Sequence, residues 1–118
     1  MKIVMISGNG GSGGLIGYIK GLLSFHYNPE EVEVVLFCGR NLAKKLETVK
    51  TPVRIIGTKH AAEKGIDIVL NRPLHPKLIE KIKYEEPDVV FFLNGYIRKG
   101  LEMYPNLMTL HNQLYIDF

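Results

Sequence analysis

The chain has 118 residues, 46% of them hydrophobic and 23% charged, which predicts one small globular domain or a piece of one. Its net charge of +3 comes from lysines interleaved with glutamates, a pattern typical of solvated helix faces and not of nucleic-acid-binding stripes. The single cysteine, Cys38, excludes an internal disulfide and a cysteine-based zinc site, and we expect a buried thiol at the end of an apolar stretch. The sequence begins as a strand, without a basic and then apolar leader or a membrane-length apolar run. We therefore expect a cytoplasmic protein that binds neither membranes nor nucleic acid.

A glycine-rich stretch follows the first predicted strand, residues 3–6, and precedes a predicted helix. The stretch reads Gly-Asn-Gly-Gly-Ser-Gly-Gly over residues 8–14, and the helix has an apolar face made by Leu15, Ile16, Ile19, Leu22 and Leu23. Glycine lets a ligand approach the backbone closely, and the N–H groups and dipole of a helix N-terminus favour an anion. The stretch predicts a phosphate-sized anion site, and the alternative is a glycine loop that only lets the helix pack on the sheet.

The glycines Gly8, Gly10 and Gly13 also match the spacing of the dinucleotide-binding fingerprint. That fingerprint requires an acidic residue at the end of the second strand to bind a ribose hydroxyl. Here the second strand ends without an acid, and Arg40 follows it. A dinucleotide interpretation therefore predicts that Arg40 receives a 2′-phosphate.

The remaining elements alternate along the chain. We predict strands over residues 32–38, 53–56, 89–93 and 107–110, an extended segment over 66–70, and helices capped by Asn41, around 61–64, from Pro76 onward, and over 99–104. Such alternation predicts a doubly wound α/β domain with a mostly parallel sheet, whose ligands bind outside the carboxyl ends of the strands. The glycine loop, residues 94–98 and residues 109–112 meet at that edge.

Three sequences in this order resemble the folate-dependent phosphoribosylglycinamide formyltransferases of purine biosynthesis. They are Met-Lys-Ile-Val-Met-Ile-Ser-Gly-Asn-Gly at the start, Pro-Asp-Val-Val-Phe-Phe-Leu-Asn-Gly-Tyr-Ile-Arg from Pro87, and Met-Thr-Leu-His ending at His111. The resemblance implies a Rossmann-like domain that transfers a formyl group from 10-formyltetrahydrofolate, without a metal, to an amine of a phosphorylated small molecule. The loop residues that would hold the substrate phosphate are Gly10, Gly11, Ser12 and Gly13.

Further site residues follow from the same resemblance. Tyr96, Ile97 and Arg98 fall where the family lines the pterin end of the folate, and Arg72 lies close to a family arginine near the folate tail. His111 falls on the catalytic histidine. Thr109 stands where the family has its catalytic asparagine, so Asn112 is the alternative amide donor. The family's catalytic aspartate has no counterpart before Phe118, which leaves open whether these residues are active alone and predicts either a missing C-terminal half or a homo-oligomer.

Other interpretations remain open. The chain can be the N-terminal acceptor domain of a two-domain glycosyltransferase, a non-catalytic NADP or nucleotide module that uses Gly8–Gly13 and Arg40, or an assembly domain that pairs its sheet edge with another subunit. Arg98 can be a solvated charge at a helix start instead of an anion contact. His26, His60 and His75 show no metal-ligand spacing and are predicted to be surface residues.

Overall fold

The fold is an α/β arrangement built on one five-stranded sheet. The computed structural model describes residues 1–8, 13–24, 27–28, 30–61, 70, 72–93 and 97–108. In chain order its elements are β1 (Lys2–Ile6), α1 (Gly13–Leu23), β2 (Glu33–Cys38), α2 (Arg40–Lys45), β3 (Arg54–Gly57), a 3-10 turn (Lys59–Ala61), α3 (Pro76–Tyr84), β4 (Val89–Phe92) and β5 (Asn106–Met108). The five strands are all parallel, in the order β3-β2-β1-β4-β5, which confirms the predicted α/β class.

Helices cover both faces of this sheet. On one face, Leu78 and Ile82 of α3 pack in a cluster with Val4, Ile6, Val90 and Phe92, among others. On the other face, Ile19 and Leu23 of α1 and Leu42 of α2 pack in a cluster with Met5 and Leu36, among others. Side chains alternate between the faces of a strand, and the interior strands β1, β2 and β4 are largely buried on both faces. These strands therefore read as continuous apolar runs instead of an alternation with polar residues, whereas the edge strand β5 is partly exposed.

The order of the strands reverses next to β1. After β1 the chain adds β2 and β3 on one side, and it then crosses the sheet to add β4 and β5 on the other. Consequently β1 and β4 are hydrogen-bonded neighbours although the chain between them forms two other strands. Their carboxyl ends lie side by side at the place where successive connections diverge to opposite sides.

Two of the predicted helices differ from the structure. The helix expected to be capped by Asn41 is α2, which begins at Arg40 with extended Gly39 as its N-cap. Glycine has no side chain and so supplies no side-chain cap, and Gly39 O accepts the first helical hydrogen bond, from the Ala43 N–H at 3.0 Å. The helix predicted over residues 99–104 is wrong. Gly100 has φ 121°, far outside helical values, and the segment forms turns. The predictions for residues 62–69 and 109–110, and for the side chains of Leu15 and Ile16, lie outside the part of the chain described.

Gly57 allows α2 to pack closely on β3. A Cβ atom added at Gly57 would lie 2.7 Å from the Ala43 Cβ and 3.4 Å from the Arg40 Cα, whereas one added at Gly21 in α1 meets nothing within 4 Å. We expect Gly57→Ala to lower the free energy of unfolding by about 1–3 kcal/mol through overpacking. The matched change Gly21→Ala should raise it by about 0.5–1 kcal/mol, because alanine is the better helix former. Urea unfolding of both variants tests this pair, and equal effects would contradict the packing of α2 on β3.

Candidate functional site

The carboxyl edge of the sheet is held together by backbone hydrogen bonds at the point of strand reversal. The Ser7 N–H donates to Phe37 O at 2.9 Å, the Gly39 N–H to Gly8 O at 3.1 Å, and the Leu93 N–H to Ile6 O at 2.9 Å. Ser7 and Gly8, the last described residues before α1, therefore lie between the ends of β2 and β4. Open parallel sheets bind their ligands at this kind of position.

The structure places the ends of the three predicted site segments at this edge. Gly13 opens α1, whose first turn contains no acidic residue, and β4 and β5 end at Phe92 and Met108. The predicted site residues that lie outside the described part of the chain are Gly10, Gly11, Ser12, Tyr96, Thr109, His111 and Asn112. Their roles stay predictions.

Arg98 and Arg72, two predicted folate-side residues, are brought together. Arg98 is only 5% exposed, and its Nε donates to the Arg72 carbonyl oxygen at 2.9 Å. Next to this bond, the Leu74 N–H donates to Lys99 O at 2.9 Å. The interpretation of Arg98 as a solvated charge at a helix start is therefore wrong, because the side chain is buried and joins the loop after β4 to the segment before α3. Ile97, by contrast, is 47% exposed.

Acidic residues collect at the opposite, amino edge of the sheet. Lys2 Nζ lies 2.9 Å from a carboxylate oxygen of Glu33 and 2.9 Å from one of Glu85, and Arg54 pairs with the same two residues. The Lys2 N–H donates to Asp88 Oδ2 at 2.7 Å. Donating hydrogen bonds to the two glutamates raises the pKa of Lys2, and accepting the hydrogen bond from Lys2 lowers the pKa of Glu33. Glu33 and Glu85 are thus paired with Lys2 and Arg54 within the protein.

Basic residues collect at the carboxyl edge. Arg40 begins α2, Lys59 follows β3, Lys77 lies in the first turn of α3, and Arg72, Arg98 and Lys99 lie in the two connections joined by the Arg98 hydrogen bond. Glu102 is also in this region, where hydrogen bonds from the Gly100 N–H and its own N–H lower its pKa. A concentration of positive charge at one edge attracts anionic ligands.

Sequence reasoning missed one pair of side chains at this edge. The imidazole rings of His60 and His75 stack with their centroids 4.1 Å apart and an interplanar angle of 29°. His60 is half-buried in the 3-10 turn after β3, and exposed His75 is the N-cap of α3. His75 is the surface residue that the sequence predicts, whereas His60 is half-buried. Nothing in the spacing of the two residues signals the pair, because the fold alone brings them together.

Cys38 has no reactive character. It is fully buried, and desolvation raises the pKa of its thiol to about 11, which confirms the predicted buried thiol. Within the described ranges, no group of three or more His, Cys, Asp and Glu side chains is arranged to hold a metal ion. None of the helices in those ranges has the length and apolar character needed to cross a membrane.

Comparison of the chain with protein-family models, with curated proteins and with solved structures found no match. The fold defines the chain as an α/β protein with a parallel sheet. Its function is therefore argued from the carboxyl edge itself.

Proposed function

We propose that this chain is a doubly wound, Rossmann-like domain of the formyltransferase type, which binds a phosphorylated small molecule at the carboxyl edge of its sheet. The transferred group would come from 10-formyltetrahydrofolate and be accepted by an amine of the phosphorylated molecule. The substrate phosphate would bind the loop after β1, at Gly10, Gly11, Ser12 and Gly13. The folate would lie beside Tyr96, Ile97, Arg98 and Arg72.

One observation carries this proposal: the glycine loop leaves the sheet where the strand order reverses, at an edge that collects basic residues. The order β3-β2-β1-β4-β5 puts the ends of β1 and β4 side by side, and Arg40, Lys59, Lys77 and Lys99 lie in the connections and helix starts of the same edge. A glycine-rich turn that leads into a helix N-terminus supplies free backbone N–H groups to a phosphate. The basic side chains add attraction over a longer range.

The chemistry rests on the segment after β5. Attack of the amine nitrogen on the formyl carbon gives a tetrahedral oxyanion, and its collapse breaks the bond to the folate nitrogen. His111 would donate a hydrogen bond to the oxyanion and carry the proton lost by the amine to the departing nitrogen. Thr109 or Asn112 would supply the second donor to the oxyanion.

A second candidate function is favoured by the position of Arg40. Its side chain is exposed at the first residue of α2, and the preceding Gly39 N–H donates to Gly8 O at 3.1 Å. This contact places Arg40 one residue from the start of the glycine loop, where an NADP-binding domain positions a base for the 2′-phosphate. A non-catalytic NADP or nucleotide module would use Gly8–Gly13 and Arg40 in this way.

Thermal unfolding with added ligands tests the proposal. A ligand that binds only the folded state at 100 times its Kd adds about 2.7 kcal/mol, which in a domain of this size raises Tm by about 10 °C. We expect this response to glycinamide ribonucleotide and to a folate. Glycinamide riboside, the same compound without its phosphate, is the matched control and should give a much smaller shift.

The other outcomes contradict the proposal in distinct ways. A response to NADP alone that is lost in Arg40→Gln would replace it by the nucleotide module. A response to a nucleotide sugar alone would favour the glycosyltransferase interpretation. Equal shifts with the ribonucleotide and the riboside would show that no phosphate site contributes.

A further inference from the structure

Three lysines accompany the two stacked imidazoles. We define the histidine cluster as His60, His75, Lys59, Lys77 and Lys81, which come from the 3-10 turn and from α3. Desolvation and then the charges of the other four members lower the pKa of His60 below its ordinary value. Among the described residues, no carboxylate forms an ion pair with any member, and Glu80 on the same helix forms none.

The hydrogen bond at His75 determines which nitrogen of this ring can donate to a ligand. Its Nδ1 accepts the Lys77 backbone N–H at 3.1 Å, which caps the first turn of α3. A neutral ring that accepts at Nδ1 carries its proton on Nε2, so Nε2–H is the donor available to a ligand. No residue in the described part of the chain hydrogen-bonds to the His60 ring, so proton uptake by the stack is assigned to His60.

The positive charge of the histidine cluster favours an anion over a metal ion as its ligand. Three lysine ammonium groups repel a metal ion, and the Nδ1 atom of His75 is already engaged by the backbone. An anion instead relieves the repulsion among the five groups and meets N–H donors from both rings and the lysines. A doubly charged tetrahedral oxyanion gains the most electrostatic binding free energy, because its charge interacts with several cations at once.

We propose that the histidine cluster binds a dianionic tetrahedral oxyanion, such as the phosphate group of a small molecule, and that His60 takes up a proton as it binds. The cluster lies at the end of β3 and the start of α3, and it includes no residue of the glycine loop. It shares Lys59 and Lys77 with the basic residues of the carboxyl edge, but it is a second anion site, and its test is read at His60 and not at the glycine loop.

Histidine NMR titrations with sulfate test this directly, because sulfate stays dianionic across the whole range in which imidazole titrates. An anion within about 4–6 Å typically raises the pKa of a histidine by 1 or more. We expect sulfate to raise the pKa of His60 by about 1 relative to a chloride solution of equal ionic strength. By linkage, sulfate should then bind about tenfold more tightly well below the pKa of His60 than well above it.

Variants of the cluster separate this site from general salt effects. His60→Gln should abolish the pH dependence of sulfate binding, and Lys81→Gln should weaken binding at every pH. His75→Asn keeps an N-cap acceptor, so α3 should remain intact while sulfate binding weakens. Lys45→Gln, at the end of α2, is the matched control and should change neither.

Titration with ribose 5-phosphate distinguishes a site for a free oxyanion from a site for an esterified phosphate. A pKa shift at His60 that matches the sulfate shift supports a site for the oxyanion alone, and a shift at lower concentration supports an esterified phosphate as its ligand. Equal effects of sulfate and chloride on His60 would overturn the proposal, as would unchanged sulfate binding in His60→Gln.

Discussion

Replacing Phe37 with alanine is expected to lower the free energy of unfolding by about 3–5 kcal/mol, the usual cost of removing a buried phenyl ring. Phe37 is 1% exposed and lies on β2, an interior strand of the sheet, in the cluster that α3 covers. Its removal takes apolar surface from the core and leaves a cavity that the surrounding strands cannot fill. Urea unfolding should show a lower midpoint with an unchanged slope.

Tyr84→Ala is the control for this substitution. Tyr84 is also aromatic, but it is 86% exposed at the end of α3, so its loss should change stability by no more than about 0.5 kcal/mol. Similar costs for the two substitutions would contradict the packing of α3 on this face of the sheet.

His111→Ala is expected to lower the rate of formyl transfer by about 10²–10³-fold, the effect of losing one oxyanion donor. The expectation rests on the proposed function. Steady-state kinetics with 10-formyltetrahydrofolate and glycinamide ribonucleotide measure it, and the loss should fall on kcat more than on KM, because the donor acts on the transition state. His26→Ala, which removes a histidine without a predicted role, should leave turnover unchanged.

Thr109→Asn gives the opposite test of the same chemistry. It restores the amide that the resembled family has at this position, so turnover should rise if a second donor limits the reaction. Unchanged turnover in both His111→Ala and Thr109→Asn would refute the formyl-transfer mechanism. Phosphate-dependent stabilisation in the same samples would show separately whether the substrate still binds.

The strands were predictable from the sequence because burial on both faces makes them continuous apolar runs. The same rule gives residues 32–38 and 89–93 nearly as the structure has them. Helix boundaries were harder to predict. Asn41 is a residue type that often caps helices, but the chain, held by the hydrogen bond from the Gly39 N–H to Gly8 O, enters α2 two residues earlier, with Gly39 as the N-cap. At Gly100 the decisive contact is tertiary, since an added Cβ would lie 2.4 Å from the Ile79 Cδ1 of α3.

The site was less predictable than the fold, because its features depend on which edge each charged residue reaches. Along the chain the lysines and glutamates look evenly mixed. In the fold, Glu33 and Glu85 come to the amino edge and Arg40 and Lys77 to the carboxyl edge. The burial of Arg98 and the stacking of His60 on His75 likewise arise from contacts between distant segments.

Because the glutamates of the amino edge are paired with Lys2 and Arg54, the positive charge of the carboxyl edge makes the electric field of the molecule stronger at that end. A negatively charged molecule diffusing nearby experiences a torque that turns the positive end of the protein toward it, so collisions are biased to the edge where the ends of β1 and β4 meet. The bias depends on long-range fields and weakens once ions in solution shorten the Debye length to about 8–10 Å. Capture of an anionic partner by this chain should therefore be fastest in dilute buffer, even where the final affinity is set by contacts at the bottom of the site.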